Sequence, residues 1–280
     1  MLRWLHFILS HSIFISVCAI ALCYQSYLLL NTAPDYTVFV FIFFSTLSSY
    51  NLYWLISKYS FARPVEMGVF LRRNISYITL TLLAGVGMLL ALLYTPHILP
   101  YVLIAVLLTL MYSLPLLPSR LSVALRKIGF IKTILLALTW SYVTTVIPAV
   151  AAGATAAWPL ILLLAARFCF MLLLCLVFDM RDIKIDKLHS LHSLATDVSQ
   201  LTLQRIMMVA FFLYLTAGIL LRYFYTDNYQ LAAFTITGAA VWVVYRFSLK
   251  QPGYVFYYFV VDGLMLFSAL CTHVAYLVRS

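Results

Sequence analysis

Residues 159–188 read PLILLLAARFCFMLLLCLVFDMRDIKIDKL. The apolar run from Pro159 to Val177, interrupted only by Arg167, passes without a turn signal into a charged stretch. A helix needs roughly 20 apolar residues to cross the hydrocarbon core of a bilayer, so this run reads as a membrane span whose helix can continue into water. The segment that follows, Phe178 to Asp197, holds four of the chain's eight acidic residues. On a continuing helix Asp179, Asp182 and Asp186 fall at i, i+3 and i+7, on one face. Two readings of that face are open. It is a solvated helix end whose acids balance Arg181, Lys184 and Lys187, or it is a magnesium site completed by phosphate oxygens and water.

Working outward, 65% of the residues are hydrophobic, 9% are charged and the mean hydropathy is +1.04. That composition excludes a soluble domain and defines an all-α, multi-pass integral membrane protein. The N-terminal stretch MLRWLHFILSHSIFISVCAIALCYQSYLLL has the charge and apolar core of a signal peptide. It is long enough to span, lacks a small-residue cleavage pattern, and reads as the first helix. Cys18, Cys23, Cys169, Cys175 and Cys271 lie inside apolar runs without a pairing pattern and read as buried thiols.

Spanning segments are expected near 7–30, 36–57, 75–94, 97–115, 130–151, 158–178, 205–222, 230–248 and 255–278, nine helices in a single bundle. The links at Asn31–Asp35, Thr95–His97 and Ala151–Ala157 carry no Lys or Arg, whereas fifteen of the eighteen basic residues fall on the opposite side of the membrane. The positive-inside rule therefore places the N-terminus and the aspartate segment in the cytoplasm and the C-terminus outside. The net charge of +10 follows from these loops and implies no nucleic-acid partner. The sequence points to membrane lipid as surroundings and to no protein partner.

The aspartate segment sits where a lipid-facing cavity would open to the cytoplasm. A lipid diphosphate needs both environments, with Arg181 meeting phosphate oxygens as a planar fork and Lys184 as a point charge. FDMRDIKIDKLHSLHSLA, residues 178–195, resembles the second aspartate-rich motif of the UbiA superfamily of intramembrane prenyltransferases, D-x-R-D-x-x-x-D. Asp179, Arg181, Asp182 and Asp186 match in place, and Ser190 and Ser193-Leu194 stand where Gly and Thr-Leu are usual. Tyr112-Ser113 near the end of helix four fits the same family. The first motif of that family, N-D-x-x-D-x-x-x-D, is degenerate here. Asn51 is present, but Leu52, Leu55 and Tyr59 occupy its three aspartate positions, and Leu116 stands at a usual lysine position.

The resemblance implies a UbiA-like bundle, with residues 1–280 as a single transmembrane domain. It implies transfer of a prenyl chain from a polyprenyl diphosphate to an aromatic or other lipophilic acceptor. Asp179, Asp182 and Asp186 would bind Mg²⁺; Arg181 and Lys184 would hold the diphosphate, with Asn51 bordering the site. With half of the family's acids missing, two outcomes are open. Lys58, Arg72, Arg73 or Lys132 places positive charge on the phosphates, since electrostatic stabilisation does not require a metal. Alternatively, the protein binds or transports an isoprenoid or quinone without ionising it. A CDP-alcohol phosphotransferase is disfavoured, because Ile183 follows Asp182 where that motif needs another pattern.

Arg167 inside helix six and Asp262 inside helix nine are intramembrane charges, expected to neutralise each other or to share a polar cavity. His189 and His192 lack a third ligand at metal-binding spacing and read as solvated loop. Twenty Tyr and twenty Phe could line a cavity that stabilises an allylic cation, although interfacial belts account for most of them.

Overall fold

The computed structural model describes residues 2–61, 67–113, 129–154, 157–188 and 194–279, excepting the side chains of 2, 60–61, 67, 129 and 184–188. The predicted positions Leu116, His189, Ser190, His192 and Ser193 lie outside the described residues, as do the side chains of Lys184, Asp186 and Lys187. Among the described residues every regular element is helical. The helices are α1 Leu2–Ser10, α2 Ile13–Leu29, α3 Tyr36–Phe61, α4 Met67–Arg73, α5 Ile75–Tyr94, α6 Leu99–Ser113 and α7 Gly129–Ser141. They continue with α8 Ile147–Ala151, α9 Ala157–Leu188, α10 Leu194–Asp197, α11 Gln200–Phe224, α12 Asn228–Ser248 and α13 Asp262–Arg279. Eight stretches among the described residues are long and apolar enough to span a membrane, and the bent pair α1–α2 makes nine. The protein is an all-α, multi-pass integral membrane protein.

The first expected helix, 7–30, is broken. Ser12 adopts a left-handed backbone with φ 62°, and α1 turns 62° away from α2. A left-handed residue with a side chain costs about 1–2 kcal/mol, so something must hold the break. Asn51 of α3 does so. Its Nδ2 donates to the His11 carbonyl at 3.0 Å, and its Oδ1 accepts from Ser12 Oγ at 3.2 Å.

α9 is the most deeply buried span and lies at the centre of the bundle, packed on α7 and α11. Its helix runs past the apolar stretch to Leu188, which carries the charged segment on a helix rather than in a loop. α8 contains Pro148, which has no N–H to give to the Thr144 carbonyl. Ser26 Oγ of α2 donates to that carbonyl at 2.7 Å, and the helix widens to a π-turn at Tyr142–Val146. A second π-turn, Phe256–Val261, opens directly onto α13. Ser199 and Asp227 start α11 and α12 by accepting the N–H of Thr202 and Gln230 at 3.2 and 2.8 Å. The outer faces carry exposed Leu82, Leu93, Leu107, Phe212 and Leu277, which suits lipid rather than water.

The α3–α5 hairpin is the most extensive helix pair. It depends on Gly87, where a Cβ would come within 2.7–2.9 Å of the Phe44 ring. Gly87→Ala gains about 1 kcal/mol of helix propensity and meets overpacking that costs about 1–3 kcal/mol. The expected result is a lower thermal midpoint; an unchanged or higher one would show that the Phe44 ring moves away at no cost.

Candidate functional site

The charged end of α9 faces α7 and the residues around the second π-turn. Asp179 accepts a hydrogen bond from Thr133 Oγ1 of α7 at 2.6 Å, and Thr133 is itself buried. Arg181 forms a two-bond fork with the adjacent Asp182, Nε to Oδ1 at 2.7 Å and Nη2 to Oδ2 at 2.8 Å. The same guanidinium lies 5.0, 5.2 and 5.0 Å from the ring centres of Phe178, Tyr257 and Tyr258. Aromatic faces attract a guanidinium by about 0.5–2 kcal/mol each, depending on exposure. Arg181 is thus fixed in orientation by an acid on one side and aromatic rings on the others.

Lys132, adjacent to Thr133, brings a second positive charge to the same end of the bundle, 6.0 Å from the Tyr112 ring centre. Tyr112 of α6 stacks on Tyr53 of α3 at 5.1 Å, and Trp140 Nε1 of α7 donates to Tyr50 Oη at 2.8 Å. Cys175, one turn before Asp179, is within electrostatic reach of Tyr50, Tyr112, Lys132 and Asp262. The wall next to the charged mouth is therefore aromatic, formed by Tyr50, Tyr53, Tyr112 and Trp140. Outside the spans, Tyr254 stacks on Tyr258 at 4.3 Å, and burial pushes its phenol up to about 12, so it stays a neutral hydroxyl at ordinary pH.

The residues expected at the site divide. Asp179, Arg181 and Asp182 lie within one turn at the charged end of α9, and Lys132 lies next to Thr133, the residue that donates to Asp179. Lys58 is exposed, donates to Asn74 Oδ1 at 2.9 Å, and sits 4.3 Å from the Trp54 ring centre. Arg72 and Arg73 are exposed on the short helix α4. Asn51 is fully buried and holds the α1–α2 break with both ends of its amide. At the other positions of the degenerate motif, Leu52 and Tyr59 are about half exposed, at 48% and 50%.

The expected Arg167–Asp262 ion pair does not form. Arg167 donates to the Leu22 carbonyl and to Ser26 Oγ, both at 3.1 Å, on the α2 side of α9. Asp262 is buried where the field of Arg181 reaches it. Spacing along two separate helices gives depth but not azimuth, which is why the pairing was unreadable from sequence.

Among the described residues no group of three His, Cys, Asp or Glu side chains converges to hold a metal ion. The donors nevertheless fit a magnesium ion that takes most of its ligands from phosphate and water, since one or two carboxylates suffice there. Asp179 would supply one carboxylate; both oxygens of Asp182 are held by Arg181.

No protein-family profile matches the sequence, and no curated protein matches it. The fold is similar to two solved structures. One is the apo structure of a UbiA homologue from Aeropyrum pernix K1, 12% identical, with a TM-score of 0.60 over 95% of this chain and 98% of that one. The other is described as digeranylgeranylglyceryl phosphate synthase in membranes, 15% identical, with a TM-score of 0.55 over 98% of both chains. At such identities the likeness is one of fold alone, the helical membrane fold that this chain shares with those two structures.

Proposed function

We propose that this protein transfers a polyprenyl group from a prenyl diphosphate to an aromatic or other lipophilic acceptor within the bilayer, with residues 1–280 acting as one transmembrane unit. The observation that carries the reading is that Lys132 stands over Tyr112 at the aromatic wall while its neighbour Thr133 holds Asp179, two residues from the ring-stacked Arg181, in a fold similar to UbiA structures. A diphosphate ester of a long isoprenoid has a head that needs cations and a tail that needs an apolar wall.

In this reading Arg181 and Lys132 bind the diphosphate, joined by Lys184 as the sequence suggests. The fork of Arg181 exchanges Asp182 for phosphate oxygens at little cost, because its planar donors and stacked orientation are already in place. Asp179 would hold magnesium from the Thr133 side, joined by Asp182 when Arg181 turns to phosphate, and by Asp186. Magnesium would neutralise charge on the departing pyrophosphate. As the allylic C–O bond breaks, positive charge on the carbon faces the aromatic rings, whose quadrupoles attract it; the acceptor forms the new bond there and gives up its proton, which leaves with the pyrophosphate. The asymmetric loop charge supports a cytoplasmic mouth and N-terminus, with the C-terminus outside.

Labelled geranylgeranyl diphosphate with Mg²⁺ and a lipid extract as acceptor source should release pyrophosphate when the purified protein is added. Lys132→Met is expected to weaken binding of the diphosphate about tenfold or more, the weight of one hydrogen bond to a charged group. One observation favours a second reading. Leu52, Leu55 and Tyr59 replace the opposing acids, so α3 brings no carboxylate to the site. Saturable binding with no pyrophosphate release from any extract would establish that reading, a carrier or sensor of isoprenoid diphosphates.

A further inference from the structure

Asp262 opens α13, is only 4% exposed, and has no task in the proposed reaction. Among the described residues no hydrogen bond or ion pair reaches its carboxylate. Its oxygens are not sealed, unlike Tyr27 Oη and Arg167 Nη1, which are buried outright. Buried polar groups are nearly always satisfied, and an ionisable side chain inside a membrane without a structural partner marks a functional site.

The surroundings of this acid say what it meets. The π-turn Phe256–Val261 ends at Asp262, and such a turn adds a residue to the helix and re-aims the side chains that follow. Tyr257 and Tyr258 of that turn lie 5.2 and 5.0 Å from the Arg181 guanidinium. Asp262 follows Tyr258 by four residues, about 6 Å along a helix that runs inward from the charged mouth. The carboxylate is thus about one turn deeper than the cation of the diphosphate site. The neighbouring face of the helix is taken, because Phe259 stacks on Phe14 of α2 at 5.0 Å and Gly263 faces the same ring. Cys18 of α2, Tyr50 of α3, Cys175 of α9 and Tyr254 all lie within electrostatic reach of Asp262. Tyr50 Oη accepts from Trp140 Nε1 at 2.8 Å and so keeps its own proton to donate. Asp262 and Tyr50 feel each other's charge but do not bond. An acceptor of hydrogen bonds and a donor, separated in this way, suit a hydroxyl between them, which donates to the one and accepts from the other. Arg181 nearby disfavours a cationic group in the same place.

We propose that Asp262 and Tyr50 bind the hydroxyl of a hydroxyl-bearing acceptor, an alcohol or a phenol, and that Asp262 takes its proton. This rests on the prenyl transfer reading and supplies the base which that reading leaves unassigned. The O–H electron pair supplies the new bond to the allylic carbon, at the oxygen or, in a phenol, at the conjugated ring carbon. The allylic C–O bond breaks and its pair leaves with pyrophosphate. The proton passes to the Asp262 carboxylate and from there to the pyrophosphate held at Arg181, so the carboxylate is restored.

The purified full chain with labelled geranylgeranyl diphosphate, Mg²⁺ and the lipid extract tests this. Asp262→Asn keeps the shape of the side chain and removes the base. It should bind the diphosphate as the wild type does and release pyrophosphate about 10²-fold more slowly, the usual weight of a general base. Release at the wild-type rate, or loss of diphosphate binding itself, overturns the role of Asp262 and leaves the transfer reading standing. A wild type that releases no pyrophosphate from any extract overturns the transfer reading and the inference with it. If Asp262→Asn fails to fold, the wild type decides when given the same extract after O-methylation, which caps hydroxyls as ethers. Release should fall to the level seen without extract; undiminished release shows that the acceptor needs no hydroxyl and overturns the proposal.

Discussion

Replacing Arg181 by alanine is expected to lower prenyl transfer by about 10²–10³-fold, the usual consequence of removing one preorganised donor from developing negative charge. The same change should cost little stability. The Arg181 and Asp182 side chains are 25% and 32% exposed, so their ion pair is screened by solvent, and removing it leaves a carboxylate that water can reach. Three ring contacts are lost as well, but Phe178, Tyr257 and Tyr258 still pack on one another. Turnover and stability therefore separate, which distinguishes a phosphate ligand from a helix-end ion pair. Arg181→Lys sharpens the point. It restores the charge without the fork and should recover only part of the activity. If Arg181→Ala unfolds the protein or leaves transfer intact, the guanidinium is there for the fold.

The second large effect is expected at Asn51, and it is one of stability. Asn51→Leu has similar bulk but removes the donor to the His11 carbonyl and the acceptor for Ser12 Oγ. His11 is buried, so its orphaned carbonyl finds no water, while the hydroxyl of half-buried Ser12 loses its partner. Two lost hydrogen bonds and the desolvation of what remains amount to about 2–4 kcal/mol. That corresponds to a fall of roughly 5–15 °C in thermal midpoint for a chain of this size. A role for Asn51 in holding diphosphate predicts the opposite pattern, weaker substrate binding at an unchanged midpoint. Measuring both on one preparation decides between the two.

The fold was legible because hydropathy in a membrane protein is nearly a direct reading of its elements. Helices at 75–94 and 228–248 lie within a few residues of their expected bounds, since an apolar run of that length has no other way to satisfy its backbone in lipid. The α1–α2 break was not legible. Its cause is a left-handed Ser12 and a partner thirty-nine residues away, and neither changes the hydropathy of the stretch. The π-turn before α8 had a signal in Pro148; the one before α13 had none that composition reveals.

Much the same holds for the candidate site. The aspartate segment was visible because three acids at helical spacing beside a span are rare enough to notice. Lys132 was one of several basic residues near a loop, and only the packing of α7 on α9 separates it from Lys58, Arg72 and Arg73. Thr133, Tyr257 and Tyr258 carried no motif, because threonine and tyrosine are common in such helices and their roles depend on which way each helix is turned. Thr133 could have been sought as the neighbour of a basic residue at the inner end of an apolar helix.

The central claim is that the end of α9 is a prenyl diphosphate site built on Arg181, Lys132 and Asp179. Equilibrium binding of labelled geranylgeranyl diphosphate to the purified protein, with and without Mg²⁺, tests it most directly when wild type and Arg181→Ala are compared. The account predicts saturable binding that Mg²⁺ strengthens and that Arg181→Ala weakens by about 10²-fold, the loss of a two-bond charged contact. Binding that is absent, or that is indifferent to the loss of Arg181, would contradict it.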